Sequence, residues 1–384
     1  MKLLSQQLPE SFSAVFANYT QKFYESTITD SKENYIASPL GSWLLLATLA
    51  GSTDFSDHPA HKNKIETLLG FTLPESLAIA KLILQAEGME TAVGAWFRSS
   101  YVDRVPQLKK WLDTDTVAEK DSEIPSQDWL DAWASKLTHG LITKFPIDVD
   151  EDTFFVLANV MYTKFNWRTP FDVTEVEPEN SFWNQQSLLT DRDGVRFYNS
   201  VDGIIISHWK HAEDSQSVVS VVSENNLDDL TLLSYAQQVI NNELTPIRIS
   251  DLPENLDWVT VTTFQSSGGD QTVAVLPAWE AENKHDLDIP ELAWDANAEV
   301  LAAGMDEEYE IKVSQTVVAK YGRKGFEAAA VTAFGMMRAA GMPTLRTCYK
   351  AEVNYGKPYA VICLIGGVPA FNGIIRKAVA PVED

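Results

Sequence analysis

The chain is poor in cysteine and in positive charge. Of its 384 residues, 2 are cysteines and 30 are Lys or Arg, against 54 Asp and Glu. Two thiols, Cys348 and Cys363, are too few for a disulfide framework, and no metal-type spacing surrounds them. A formal net charge of −24 repels phosphate backbones and anionic lipid, so neither nucleic acid nor a membrane surface is expected as a partner. No run of about eighteen apolar residues offers a membrane span. Met1 to Glu10 hold neither the apolar core nor the small-residue cleavage site of a signal peptide. The chain is therefore expected to be cytoplasmic as written, and extracellular if it is a mature form.

Signatures of catalysis are missing as well. The sequence has no G-x-S-x-G elbow, Walker loop, dinucleotide fingerprint or H-E-x-x-H, which weakens every enzyme reading and leaves no cofactor expected. His58/His61 and His208/His211 are spaced so that two imidazoles could approach one ion, but neither pair brings a nearby cysteine or a helical i, i+4 partner. Both read as solvated or hydrogen-bonded surface histidines, and no metal is expected.

What is present is core material: 45% hydrophobic residues and 11 Trp. Neither a Pro/Ser-rich linker nor a repeat marks a boundary, so one domain over 1–384 is allowed. Phe12, Val15, Phe16, Tyr19 and Phe23 recur at the spacing of an amphipathic helix. Ser38 to Gly51 has an N-cap serine, proline at the first helical position, an apolar body on every side and a closing glycine, the pattern of a buried helix. Further helices are expected at 61–69, 75–86, 105–113 and 126–140. Thr153 to Tyr162 is a nearly continuous apolar run, which predicts a central strand covered on both faces. Other strands are expected at 35–37, 91–98, 203–210, 216–223, 257–264, 271–276, 310–320, 359–365 and 370–375. Helices early and strands late favour an α+β fold with large antiparallel or mixed sheets.

The stretch Arg323 to Gly335 specifies no single secondary structure. Gly325 breaks the chain, Ala328, Ala329 and Ala330 favour helix, and Val331 with Thr332 favours strand. Residues this small can leave an exposed loop and join a sheet, or simply form a surface connector.

Four motifs, in order along the chain, carry a resemblance. They are Asn34-Tyr35-Ile36-Ala37-Ser38-Pro39-Leu40; Thr138 to Ile142 followed by Ala158 to Phe171 with its K-x-x-W-x-x-P-F close; Gly325 to Thr332; and Lys357-Pro358-Tyr359 with Phe371-Asn372-Gly373. From about Ser11 to Pro381 the chain resembles the serpins, protease inhibitors of the suicide type, in their prokaryotic form. The resemblance implies one α+β serpin domain with large mixed sheets, about eight to nine helices and an exposed reactive-centre loop at about 323–347. It implies a monomer that is not an enzyme and whose partner is a target serine protease, with a cysteine protease as the second class. That protease cuts the loop, forms an acyl-enzyme, and is trapped as the hinge Gly325, Phe326, Glu327, Ala328, Ala329, Ala330, Val331 and Thr332 enters the central sheet. The alternative is a non-inhibitory serpin-fold binding protein that is cut as a plain substrate.

By the same resemblance the reactive bond is Ala339–Ala340, or Arg338–Ala339 on a count one residue shorter, with Arg346–Thr347 as a third candidate. Sheet opening falls to Ser38 and Asn159 under the sheet centre, to Lys164 and Trp167 near its upper end, and to Gln315. The chain departs from the family where Gly41 replaces serine, Gln315 replaces histidine, Arg323 replaces glutamate and Phe326 replaces a small residue. Gln315 cannot titrate, so pH-dependent opening through that position should be missing. Strand alternation sends Phe326 inward on insertion, where the ring either overpacks the core and slows insertion or fits in room such as Gly41 leaves, the second being the expectation. Cys348 is expected on or beside the loop's return strand and Cys363 in a buried strand, with no bond between them.

Overall fold

A computed structural model describes residues 3–29, 31–98, 119–121, 123–212, 215–254, 256–266, 268–303, 312–326 and 346–381. Among them are seven α-helices: α1 (Phe12–Thr27), α2 (Pro39–Gly51), α3 (Pro59–Leu69), α4 (Leu73–Leu84), α5 (Gln127–Leu137), α6 (Asp229–Ile240) and α7 (Trp294–Leu301). The helix expected at 105–113 lies outside the described residues.

Helix α2 forms as its sequence dictates. Ser38 Oγ accepts the Gly41 amide at 3.1 Å, Pro39 occupies the first turn, and the body is buried on nearly every side. Helix α1 lays Phe12, Phe16, Tyr19 and Phe23 into the same core.

A seven-stranded sheet backs this core in the order β1 (Tyr35–Ala37), β19 (Val368–Ile375), β18 (Tyr359–Ile365), β10 (Ser217–Ser223), β9 (Gly203–His211), β8 (Val195–Ser200), β11 (Thr245–Ile247). Its strands β10, β18 and β19 are buried along their whole length, as continuous apolar runs require. The β18–β19 hairpin turns on Gly366 and Gly367, with φ of 57° and 84°, the left-handed pair that a two-residue turn needs.

A five-stranded sheet runs β12 (Val259–Ser266), β17 (Arg346–Asn354), β13 (Gln271–Leu276), β7 (Ser187–Arg192), β6 (Asp172–Glu175). The central layer is divided in two. One part is β3 (Glu119–Asp121), β2 (Glu90–Phe97) and β4 (Phe155–Tyr162); the other is β14 (Trp279–Asp286), β15 (Ser314–Tyr321), β16 (Gly325–Phe326) and β5 (Phe165–Asn166). Helix α5 crosses the three-stranded part with a small core of its own, in which Trp96 stands edge-on to Trp133 at 5.1 Å and to Trp129 at 5.8 Å.

Strand β4 was expected to be covered on both faces, yet Asn159, Val160 and Met161 are only half-buried. Its apolar run is explained by α5 on one side and the main core on the other. The exposure comes from one edge, because among the described residues β4 pairs only with β2. Cys348 lies in β17 and Cys363 in β18, both buried and both free.

Asn34 fixes how β1 meets the C-terminal strands. Its amide donates to the carbonyls of Glu280 (2.8 Å) and Lys377 (3.1 Å) and accepts the amides of Arg376 (2.7 Å) and Lys377 (2.8 Å). Asn34→Ala should therefore lower the unfolding free energy by about 2–4 kcal/mol in urea, and Asn34→Asp, which keeps only the acceptor half, should lose less.

Candidate functional site

The site is the gap in the central layer. Strand β15 pairs with β14 on one edge, β4 pairs with β2 on one edge, and no ladder among the described residues joins β4 to β15. Between their facing edges lies a cleft of about 240 Å³, whose lining includes Asn159, Met161, Gln315 and Val317, with Ser38 and Gly41 of α2 beneath. The cleft is closed at the end where β15 finishes, its upper end, by two short strands. There β16 pairs antiparallel with β5, Gly325 opposite Asn166 and Phe326 opposite Phe165, and with β15, Phe326 opposite Tyr321.

Gly325 and Phe326, the first two residues of the expected hinge, are thus already strand. A Cβ on Gly325 would lie 2.4 Å from the Phe165 carbonyl oxygen, so only glycine allows this approach. Phe326 is 5% exposed, stacks on Phe165 at 5.4 Å and meets Trp279 edge-on at 6.3 Å. The inward direction expected for this ring is observed, but the source of its room is not the expected one. Gly41 sits at mid-cleft, where a Cβ would lie 3.2 Å from each of Asn159 Nδ2, Met161 Sδ and Ser38 Oγ, whereas aromatic neighbours house Phe326.

Trp167, the expected guard of the upper end, is buried there and ties down the residues before the hinge. Its indole donates to the Gly322 carbonyl and its amide to the Lys324 carbonyl, both at 2.9 Å. The Phe171 amide donates to the Arg323 carbonyl at 2.9 Å, and Arg323 Nε donates back to the Phe171 carbonyl at 3.3 Å. Arg323, which replaces the family's glutamate, therefore finds a carbonyl oxygen as its partner. Lys164 is exposed in the short break between β4 and β5.

Under the centre of the cleft, Ser38 Oγ donates to the Ala370 carbonyl at 2.7 Å. Gln315 grips the backbone of Ser38 with both ends of its amide, accepting from the nitrogen and donating to the carbonyl at 2.9 Å each. Gln315 thereby ties β15 to the start of α2. Glu327, Ala328, Ala329, Ala330, Val331, Thr332, Arg338, Ala339 and Ala340 lie outside the described residues. Arg346 does not: it opens β17, where it stands opposite Ser266 of β12.

One polar cluster was missed. His208 was expected at the surface, but its side chain is fully buried; Nε2 meets Asp191 Oδ2 at 2.9 Å, and Lys210 Nζ donates to Asp191 Oδ1 at 2.7 Å. Lys210 also lies 4.1 Å from the centre of the Phe171 ring, which in turn packs on Tyr321 at 5.6 Å. The cluster thereby supports the aromatic block holding Arg323. Its signal was available, since His208 and Lys210 sit two apart on one face of an otherwise apolar strand. His211, three positions from His208, is exposed.

Burial pushes His208 below the usual imidazole range against the pull of Asp191, and it lowers Lys210 as well. Burial would raise Asp191, but the bonds from His208 and Lys210 win and hold it low. His208 is thus a neutral imidazole donating from Nε2, with no partner at Nδ1 among the described residues.

Comparison with known proteins places this geometry. The family model described as Serpin (serine protease inhibitor) matches residues 15–361. An uncharacterized serpin-like protein of fowlpox virus (strain NVSL) is 26% identical over 165 residues, which are 41% of this chain and 42% of that protein, so the match spans under half of that relative's length. Among solved structures, the native thermophilic serpin tengpin superposes with a TM-score of 0.67 at 16% identity, over 96% of this chain and 95% of its own. Serpin48 of the insect Tenebrio molitor gives 0.63 at 16% identity, over 96% and 99%. Human thyroxine-binding globulin gives 0.64 at 14% identity, over 97% and 99%.

The buried imidazoles set the acid limb of stability. A histidine whose folded pKa is depressed contributes stability that is whole above its unfolded value near 6.5 and is lost as pH falls through the folded value. Unfolding free energy should therefore fall as the pH drops below about 6.5. His208→Gln should shrink that drop, leaving the part owed to His285 of β14, which is also lowered by burial and bonds the Ile36 carbonyl at 2.8 Å. Urea midpoints at stepped pH check this.

Proposed function

This chain belongs to the serpin family, and from that membership and the divided sheet we propose that it inhibits a serine protease as a suicide substrate. The observation that carries the reading is the pairing of Gly325 and Phe326 across the top of a cleft bounded by two strand edges. A strand already begun there is continued by whatever follows Phe326 in sequence.

The register makes the continuation specific. Running on from Phe326 opposite Tyr321, Ala328 comes opposite Ala319, Ala330 opposite Val317 and Thr332 opposite Gln315. Phe326 points inward, so these three alternate residues follow it in, over Ala319 and Val317, which are buried. Small side chains suit a cleft of about 240 Å³ with Gly41 in its floor. Two strand edges that no ladder joins among the described residues then gain a partner, and the free energy released draws the strand down.

In this mechanism the protein contributes no catalytic group. The protease serine attacks the scissile carbonyl, the new amino terminus leaves, and the ester holds the enzyme to the chain while the hinge inserts. The favoured bond is Ala339–Ala340, with Arg338–Ala339 second. Arg346–Thr347 is set aside because both residues are laddered to β12, whereas a protease takes its substrate as an extended, unpaired strand.

Incubation with elastase-, trypsin- and subtilisin-like serine proteases should give, with one of them, a band of summed mass that survives boiling in detergent. Clean cutting by all of them with no such band would instead indicate the non-inhibitory reading. Cutting within the loop should raise the thermal midpoint by on the order of 10 °C, as a strand's worth of hydrogen bonds is added. An unchanged midpoint would rule out insertion. Because Phe326 is buried before any cut, wild type should consume about one inhibitor per protease. Phe326→Thr should not improve on that ratio; a high wild-type ratio that falls on substitution would overturn the accommodation of this ring.

A further inference from the structure

Beside the upper end of the cleft, one outer face of the seven-stranded sheet carries a row of positive charge. Trp167 bridges Ala212 in antiparallel fashion, and the Arg168 amide donates to the His211 carbonyl at 3.0 Å, so the side chains of Arg168 and His211 share a face. Trp209, two residues before His211, lies on that face too, and so does Arg196 of β8, which stands opposite Ser207. Arg196 sits over the Trp209 ring at 5.0 Å, and the His211 ring stacks on the same indole at 6.2 Å. Arg168, Arg196 and His211 are exposed, and Trp209 is half-buried.

Neither Arg168 nor Arg196 has a carboxylate partner among the described residues, in a chain with 54 Asp and Glu against 30 Lys and Arg. Arg192, by contrast, is paired with Asp172. Asp191, behind the row, is already taken up by His208 and Lys210. His211 registers the excess of charge: partial burial lowers its pKa, and Arg168 and Arg196 lower it further, against a smaller pull from Asp191.

We propose that this row is a docking surface for a short acidic segment of the protease that cuts the loop. The partner rests on the inhibitor reading above; its chemistry rests on charge, since two unpaired guanidiniums are matched by carboxylates, which each can take in a two-pronged bond. What surrounds the row limits the length of the segment. Glu213 and Asp214 follow His211 in sequence and the whole chain carries −24, so a long polyanion running past the row would be repelled, whereas a short segment meets the row alone. Position fits as well. Arg168 follows Trp167, whose indole and amide hold the Gly322 and Lys324 carbonyls, so the row stands at the root from which the loop leaves. A protease of about 200 residues is roughly 40 Å across, so one seated on the loop overhangs that root.

The test is kcat/KM for cutting of the loop, followed as loss of intact chain, with whichever serine protease of the panel above cuts it fastest. This rate is read whether the enzyme is then trapped or released, so a missing covalent band counts against the inhibitor reading and leaves the docking measurement standing. In about 0.05 M NaCl the reversal Arg168→Glu/Arg196→Glu should slow cutting about tenfold or more. Arg168→Gln/Arg196→Gln, a milder change in case the reversal folds poorly, should slow it about threefold, and Arg168→Lys/Arg196→Lys should stay within about twofold of wild type. The gap should close in about 1 M NaCl, where the screening length is roughly 3 Å. Acetyl-tetraglutamate amide, at matched ionic strength, should slow wild type and leave the reversal unchanged. Equal rates for wild type and both charge-removing variants, or a gap that survives the high salt, would overturn the docking surface. Inorganic sulfate slowing wild type as strongly as the peptide does would mark a simple oxyanion site, and a sulfated polysaccharide fragment slowing it more strongly would mark a polyanion site; either result would overturn the assignment to an acidic segment.

Discussion

The two parts of the central layer are joined at one end by the backbone of two short segments, 165–171 and 322–326. Gly325 makes the approach possible, the Trp167 and Phe171 amides bond the Lys324 and Arg323 carbonyls, and the ring of Phe326 fills the space against Phe165 and Trp279. Every other feature of the cleft depends on this weld. It fixes the spacing of β4 and β15 at one end and leaves their remaining lengths to be governed by what lies beneath. There the double bond of Gln315 to the Ser38 backbone anchors β15 to α2, while β4 rides with α5 and its separate core.

Electrostatics are arranged to the same end. At mid-cleft an amide, which carries no charge at any pH, does the tying. The titrating groups stand behind the weld, where Asp191, His208 and Lys210 support Phe171 and, through it, Arg323. A further buried imidazole, His285, stands opposite Gln315 in the β14–β15 ladder, so acid bears on the middle of the cleft as well as on its closed end. The Asp191–Lys210 ion pair, to which neutral His208 adds a hydrogen bond, is costly to break in so dry a place, which keeps the aromatic block in one arrangement at neutral pH.

Much of the fold was legible because its signals are local. The spacing of Phe12, Phe16, Tyr19 and Phe23 and the Ser38-Pro39 cap specify α1 and α2 within their own residues. Helix α6 was missed although Asp228 caps it through the Thr231 amide at 2.9 Å; a strand-rich neighbourhood masked an ordinary N-cap signal. Burial of β4 was over-read because an apolar run reports what lies above and below a strand and is silent on its edges. The pairing of Phe326 with Phe165, the partners of Gln315 and the β12–β17 ladder depend on residues eighty or more positions apart, and no window of sequence holds both ends. The family motifs point to Gly325 and Phe326 as the start of the expected hinge, but the aromatic rings that receive Phe326 belong to this chain's own packing.

The indoles are dealt unevenly between the two parts of the central layer. Trp96, Trp129 and Trp133 crowd together on the side of α5, while Trp167 and Trp279 stand at the weld, Trp279 stacked on Tyr321 at 5.5 Å with ring planes 1° apart. Neighbouring indoles at such separations exchange excitation and give strong circular-dichroism bands whose shape follows their mutual angle. The protein thus carries two built-in chromophore groups, one on each side of the gap, and a spreading of the sheet writes itself into ultraviolet spectra as a change in their relation while each group keeps its own signature.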